Sequence, residues 1–234
     1  MEPPAIPIEE IAARAMLLGA SLVGAAPAHV LLDSPSHRRH PVDRRLGKSG
    51  SVLVLALAHT DGQPEMDWWD NRKGRTPGNR RLMAIGRHLI RWMGKVDASD
   101  AFELPYQACR GGVFLKDAAV FAGLGVVGKN NLLITPEYGP RVRLRALLLN
   151  RSVQGTGPLD DFDPCDGCAA PCLSACPSDA FYGGGYRLEQ CRLQMRKNEL
   201  DRIVTRMPVI WMPSKSRTVY CRACELACPV GTEV

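Results

Sequence analysis

Cys165-Asp-Gly-Cys168-Ala-Ala-Pro-Cys172-Leu-Ser-Ala-Cys176-Pro177 is the stretch on which the fold of this chain turns. Its closing half recurs in Cys221-Arg-Ala-Cys224-Glu-Leu-Ala-Cys228-Pro229, and a solitary Cys191 lies between the two runs. A four-iron, four-sulfur cube needs four thiolates on a backbone that wraps it closely, and these short spacings supply them. In two-cluster ferredoxin patterns the proline-flanked last cysteine of a run ligates the other cluster. The second run lacks a leading cysteine, and Cys191 fills that place. The count then closes at two sets of four. Cys165, Cys168, Cys172 and Cys228 are expected to hold one 4Fe–4S cluster, and Cys176, Cys191, Cys221 and Cys224 the other. Two structural zinc sites are the alternative, since CxxC pairs also suit tetrahedral zinc. The Cys-Pro ends and four-residue steps are ferredoxin features that have no role in a zinc knuckle. One spacing departs from the usual pattern: three residues, with Pro171 among them, stand before Cys172 where two are customary.

Working outward, the composition sets the context. The 234 residues include nine cysteines, 45% apolar and 23% charged residues, with a mean hydropathy of −0.13. That is an ordinary globular composition and excludes a disordered chain. Nine cysteines suit a disulfide scaffold only in a short secreted protein. The longest apolar run, Val52 to Ala58, is far below the ~20 residues of a membrane helix. The N-terminus opens on Glu2 and prolines rather than a basic segment before an apolar one, so no secretory signal is read. A cytoplasmic protein with no membrane partner is expected. Residues 1–158 carry 21 Lys and Arg against 14 Asp and Glu, whereas residues 159–234 carry 9 against 10. The charge therefore breaks where the cysteines begin, and two domains are expected, residues 1–158 and 159–234.

The first of these alternates helical and strand patterns. Ile8, Ile11, Ala12, Ala15 and Leu18 recur at helical spacing. Ser51 to His59 is an unbroken apolar run, as in a strand covered on both faces. Asn79 reads as the N-cap of a second helix with a stripe of Leu82, Ile85, Leu89 and Met93. A third helix is expected from Val113 to Phe121, closed by Gly123 and Gly125. Asn131 to Thr135 and Val142 to Leu149 read as two strands around the turn Pro136 to Pro140. Arg141, Arg143 and Arg145 alternate with apolar residues, which makes one strand face strongly basic. Arg151 to Pro164 reads as a linker.

Ala122-Gly-Leu-Gly-Val-Val-Gly-Lys-Asn130 resembles the Ala-Gly-Leu-Gly-x-x-Gly-Lys stretch of the epoxyqueuosine reductase family. The likeness continues through Leu132-Leu-Ile-Thr-Pro-Glu-Tyr-Gly139 and the cysteine spacing, and covers most of the chain from about residue 105. The resemblance implies an α/β fold class: a cobalamin-binding, nitroreductase-like domain followed by a small ferredoxin-like domain with two clusters that feed electrons to the cobalt. It implies cofactor-binding roles for Gly123, Gly125, Gly128, Lys129 and Asn130. On the residues alone, the three glycines let either a planar ligand or another backbone approach closely. A helix C-cap followed by a tight turn explains them equally.

Two departures separate the chain from that family. It stops at Val234, where epoxyqueuosine reductases continue into a helical-repeat region that helps hold tRNA. At the position of the family's proton-donating aspartate this chain has Cys109, the catalytic candidate; Asp117 is the nearest carboxylate. The expected function is a cobalamin-dependent reductase. The alternative is an electron-transfer or corrinoid-handling protein with no substrate chemistry of its own. Implied partners are a low-potential electron donor of ferredoxin or flavodoxin type, a corrinoid, and a tRNA held weakly and salt-sensitively by the basic first domain. The five histidines show no metal spacing and are expected in core or surface roles. Trp68 and Trp69 either cover a flat ligand or bury their loop.

Overall fold

The computed structural model describes residues 6–41, 50–59, 62–97, 100–205 and 215–231. In chain order the elements are α1 (Ile8–Leu17), β1 (Leu22–Pro27), α2 (Pro35–Arg39), β2 (Ser51–Ala58), β3 (Trp69–Asp70), α3 (Pro77–Val96), β4 (Ala101–Glu103), α4 (Leu115–Phe121), β5 (Val126–Val127), β6 (Leu133–Ile134), β7 (Val142–Leu149), α5 (Pro171–Ser174), α6 (Leu188–Leu200), β8 (Ile203–Thr205), β9 (Lys215–Thr218) and α7 (Ala223–Leu226). The fold class is mixed α/β, as the alternating patterns predict.

The main sheet has the order β1-β2-β7-β4 and every pairing in it is antiparallel. β2 lies second in that order, and its first seven residues are buried. Its unbroken apolar run reflects cover on both faces, here in an antiparallel rather than a parallel sheet. Leu53, Leu55 and Leu57 turn toward α1 and α3, where Ile11, Leu82, Ile85, Leu89 and Met93 meet them. Val52, Val54 and Ala56 turn to the other face, against Ala118 and Ala119 of α4. Each fully buried Leu or Ile stabilises the fold by roughly 1.5–3 kcal/mol.

Several boundaries differ from the sequence reading. α3 begins earlier because Thr76, not Asn79, is the cap; its side chain accepts a hydrogen bond from the Asn79 amide at 3.1 Å. Pro77 takes the first helical place, where its missing N–H costs nothing. α4 begins at Leu115 rather than Val113. The two strands expected around Pro136 to Pro140 both form, but they do not pair with each other. β6 pairs with β5, and β7 runs between β2 and β4. Thr135 and Gly139 close the turn by reciprocal backbone bonds of 2.9 and 3.0 Å, which turns the chain from one sheet into the next.

The cysteine-rich segment is laced to the rest. β3, from the Trp68-Trp69 loop, pairs with β9, and β9 with β8. Trp69 meets Tyr220 edge to face at 6.3 Å, and the Arg217 guanidinium lies 5.6 Å over Trp68. The two tryptophans thus seat their own loop on the second region.

Candidate metal centre

Eight cysteines come together in the second region, and all nine in the chain are free thiols. Cys172 is the second residue of the short helix α5, which Pro171 opens after Ala170 in a left-handed backbone, so the segment curls where Pro171 is inserted. Burial pushes the Cys172 thiol up, and Cys228, Cys165 and Cys168 add to the rise. Burial does the same to Cys228, with Cys165 and Cys168 adding and the Val230 amide and Arg141 opposing. The Cys224 thiol is pushed up to about 12 by burial first, then by Cys221, Cys176, Glu225 and Cys191. Cys172 thus senses Cys165, Cys168 and Cys228, and Cys224 senses Cys176, Cys191 and Cys221. A thiol held that high binds metal only on losing its proton, so filling either site releases protons.

Backbone amides point at the sulfurs: Lys129 donates to Cys165 at 3.4 Å, Ala170 to Cys168 at 3.4 Å and Ala180 to Cys176 at 3.3 Å. For Cys176, burial alone would raise the thiol, but the Ala180 and Ser178 amides and the Ser178 hydroxyl outweigh it and hold the thiol below its usual value. N–H···S bonds of this kind stabilise thiolates and tune cluster potentials.

The glycine stretch packs closely against the protein's own chain, as a helix C-cap followed by a tight turn does. A Cβ on Gly123 would press on the Thr156 carbonyl oxygen at 2.6 Å, and one on Gly125 would strike the Ile134 carbonyl. One on Gly128 would strike the Ile134 side chain. Gly123 also has φ +69, the left-handed conformation of a helix C-cap. On the side where a Cβ would stand, the close approach is by the protein's own chain. Lys129 and Asn130 turn toward the cysteines instead. Lys129 Nζ donates to the Cys165 carbonyl at 2.8 Å and Asn130 Nδ2 to the Cys224 carbonyl at 3.3 Å. The stretch is a seat for the cysteine loops.

Cys109 lies exposed in a short 3-10 turn, Ala108–Arg110. Asp117 is buried, accepts from the Ser36 amide and hydroxyl at 2.9 Å each, and so anchors α2.

Sequence reasoning missed the polar seam between the regions. Arg141, only 7% exposed, donates to the carbonyls of Val230, Cys228 and Leu226 at 2.8, 2.9 and 3.3 Å. His59 at the end of β2 is buried with Asp67 and Glu225, its Nδ1 2.8 Å from Asp67 and its Nε2 3.4 Å from Glu225. Arg222 pairs with both carboxylates at 2.9 and 2.7 Å, and Arg143 also pairs with Asp67. Burial alone would raise the Asp67 carboxyl, but the His59 hydrogen bond, Arg143 and Arg222 hold it below its usual value. Although His59, Asp67 and Glu225 have metal-ligand chemistry, two guanidiniums already neutralise the carboxylates there. The signal available beforehand was the alternation of Arg141, Arg143 and Arg145, read as a basic face. Buried acceptors from the second region draw two of them inward.

Fold and thiols together define a class: a mixed α/β scaffold joined to a module of eight paired cysteines. The chain is similar, in sequence and in fold, to the epoxyqueuosine reductases. It is 29% identical over 214 residues to the epoxyqueuosine reductase of Gloeobacter violaceus, covering 82% of this chain and 60% of that protein. It is 34% identical over 118 residues to that of Lactococcus garvieae, covering 49% of this chain and 32% of the relative. The chain therefore spans no more than about 60% of the length of either. A crystal structure of epoxyqueuosine reductase with an epoxyqueuosine-modified tRNA-Tyr stem loop superposes with a TM-score of 0.64 at 17% identity, covering 96% of this chain and 65% of that one. A reductive dehalogenase whose structure bears on B12-dependent dehalogenation gives 0.57 at 19% identity, covering 80% of this chain and 29% of that one. No protein-family model matches the chain. Among the described residues no helix is long and apolar enough to cross a membrane.

Proposed function

We propose that the chain is an iron–sulfur oxidoreductase of the epoxyqueuosine reductase kind, with electrons passing through two 4Fe–4S clusters to a corrinoid. The observation that supports the cluster part is the gathering of the thiols in two electrostatic groups, with amide N–H groups aimed at their sulfurs. Cys165, Cys168, Cys172 and Cys228 would hold one cluster and Cys176, Cys191, Cys221 and Cys224 the other. Such clusters supply one-electron transfer at low potential. The chain's own residues fix the cysteine loops, shield them by burial and donate hydrogen bonds to the sulfurs. Lys129, Asn130 and Arg141 clamp the loop carbonyls, which holds the ligand backbone still as charge arrives.

The corrinoid part rests on the relatives. Gly123, Gly125 and Gly128 face the protein itself, and no residue here is assigned to the corrin ring. A low-potential ferredoxin or flavodoxin is the donor this chemistry requires. The solved tRNA complex of a structural neighbour makes a tRNA a reasonable substrate for this chain, with Cys109 as the candidate proton donor on its exposed turn. Anaerobically purified protein should carry about eight irons per chain and bleach on reduction. Hydroxocobalamin should bind with a change in its visible spectrum. Iron without any cobalamin response would leave a two-cluster electron carrier, and stoichiometric zinc without iron would remove both readings.

A further inference from the structure

Two serines each stand two places after a cysteine in the first cysteine run, and their hydroxyls go to different atoms. Ser174 follows Cys172 inside α5 and donates back to the Pro171 carbonyl at 3.0 Å, as serines in helices do. Ser178 follows Cys176 beyond the end of α5, past Pro177, and its Oγ lies 3.6 Å from the Cys176 sulfur. The turn that places it is pinned by the backbone. The Asp179 amide donates to the Cys176 carbonyl at 3.4 Å and the Ala180 amide to the Cys176 sulfur at 3.3 Å. Asp179 takes a left-handed backbone, φ +50. Ala180, only 1% exposed, anchors the turn, and its carbonyl accepts from the Arg187 amide at 2.7 Å. The backbone holds the turn without help from the Ser178 hydroxyl, which is left to the sulfur.

Between a thiol and a hydroxyl either atom can donate. A cysteine that ligates iron has lost its proton, so its sulfur can only accept and the hydroxyl must donate. Reduction puts more negative charge on the ligating sulfurs. A hydrogen bond to one of them then strengthens, which favours the reduced state. In the other expected set, Cys165, Cys168, Cys172 and Cys228, the described hydrogen bonds to side-chain sulfurs come from backbone amides, Lys129 on Cys165 and Ala170 on Cys168. The second Cys-Pro pair is followed by Val230 where the first is followed by Ser178, so Cys228 receives no hydroxyl from that place.

Resting on the two-cluster reading, we propose that Ser178 is a positioning residue for electron transfer. Through the Cys176 sulfur, its hydroxyl raises the potential of the cluster that Cys176, Cys191, Cys221 and Cys224 would hold, and it leaves the other cluster untouched. The electron comes from the low-potential donor, the hydroxyl proton stays on Ser178, and no covalent bond forms or breaks. The balance of an electron shared between the two cysteine sets moves toward the set that Ser178 serves.

The test is a redox titration of the anaerobic, iron-loaded full chain, followed by electron paramagnetic resonance. Iron is counted first in the native protein, Ser178→Ala and Ser178→Thr, and all three should carry about eight atoms. In Ser178→Ala the reduced-to-oxidised ratio of one cluster at a fixed potential should fall about tenfold, a midpoint lower by about 59 mV for one electron. The midpoint of the other cluster should stay where it is. Ser178→Thr keeps the hydroxyl and should keep the native midpoints. Unmoved midpoints in Ser178→Ala overturn the proposal, and so does a Thr variant that titrates like the Ala variant. An equal shift of both clusters overturns it too, because the hydroxyl reaches one sulfur only. Loss of iron in Ser178→Ala would make the residue structural and end the proposal. A native chain that binds no iron overturns the two-cluster reading itself, so the iron count separates that failure from this one.

Discussion

The sheet region and the cysteine region are stabilised by opposite means. In the first, both faces of β2 are packed, and two clusters account for nearly all of the buried apolar side chains. In the second, the buried residues among those described are only Cys172, Ala180, Thr218, Glu225 and Cys228. α6, thirteen residues long, buries none. A segment with so little apolar burial cannot offset its conformational entropy from packing. What holds it is the cysteines, the β3–β9 pairing and the polar seam. The first region is built to fold as a core, and under the proposed function the second would fold around its metal.

The severest way to break this contrast is to remove the iron that the proposed clusters would bring. Chelation under reducing conditions should leave residues 165–231 open to proteolysis and amide exchange while the sheet keeps its protection. If both regions stay protected, the second has a core of its own and the contrast is wrong. Next in size, Cys191→Ala should halve the iron, to about four atoms per chain, because that residue serves one quartet only. Loss of all the iron would mean that the two quartets assemble as one unit.

Within the first region, Leu53→Ala should cost about 3 kcal/mol in chemical denaturation of the sheet and leave iron content unchanged. At the seam, Arg141→Met strips a cation from three carbonyls and should cost about 2 kcal/mol. Its signature should be faster iron loss to a chelator rather than early melting of the sheet. Thr76→Ala should cost only about 1 kcal/mol, the worth of an N-cap, with no effect on iron release. Faster iron release in that variant would show that α3 couples to the cysteines.

The same contrast explains what was legible in the sequence. β2, α1 and the stripe of α3 announce themselves because burial writes a period into the residues. The cysteine-rich segment stands out because candidate metal ligands are few, clustered and of one type. The seam left no such trace. His59, Asp67, Arg143, Arg222 and Glu225 meet across as many as 166 positions, and no local pattern records a long-range ion network. β1, from Leu22 to Pro27, also passed unread, since its small residues Gly24, Ala25 and Ala26 carry little strand propensity. The glycines of the 122–130 stretch were singled out correctly as close approaches. The structure adds that Thr156 and Ile134 are among the bodies that approach them.

The pairing of β3 with β9 has a consequence for biosynthesis. Residues 51–149 can complete the main sheet soon after they emerge, but Trp69 and Asp70 must wait for Arg217 and Thr218. At ~5–20 residues per second, that interval is on the order of ten seconds. Through that wait the nascent chain presents two tryptophans with no strand to cover them. The span before Pro77 is therefore where a chaperone would find this protein during translation, and where a pause before residue 215 would be felt most.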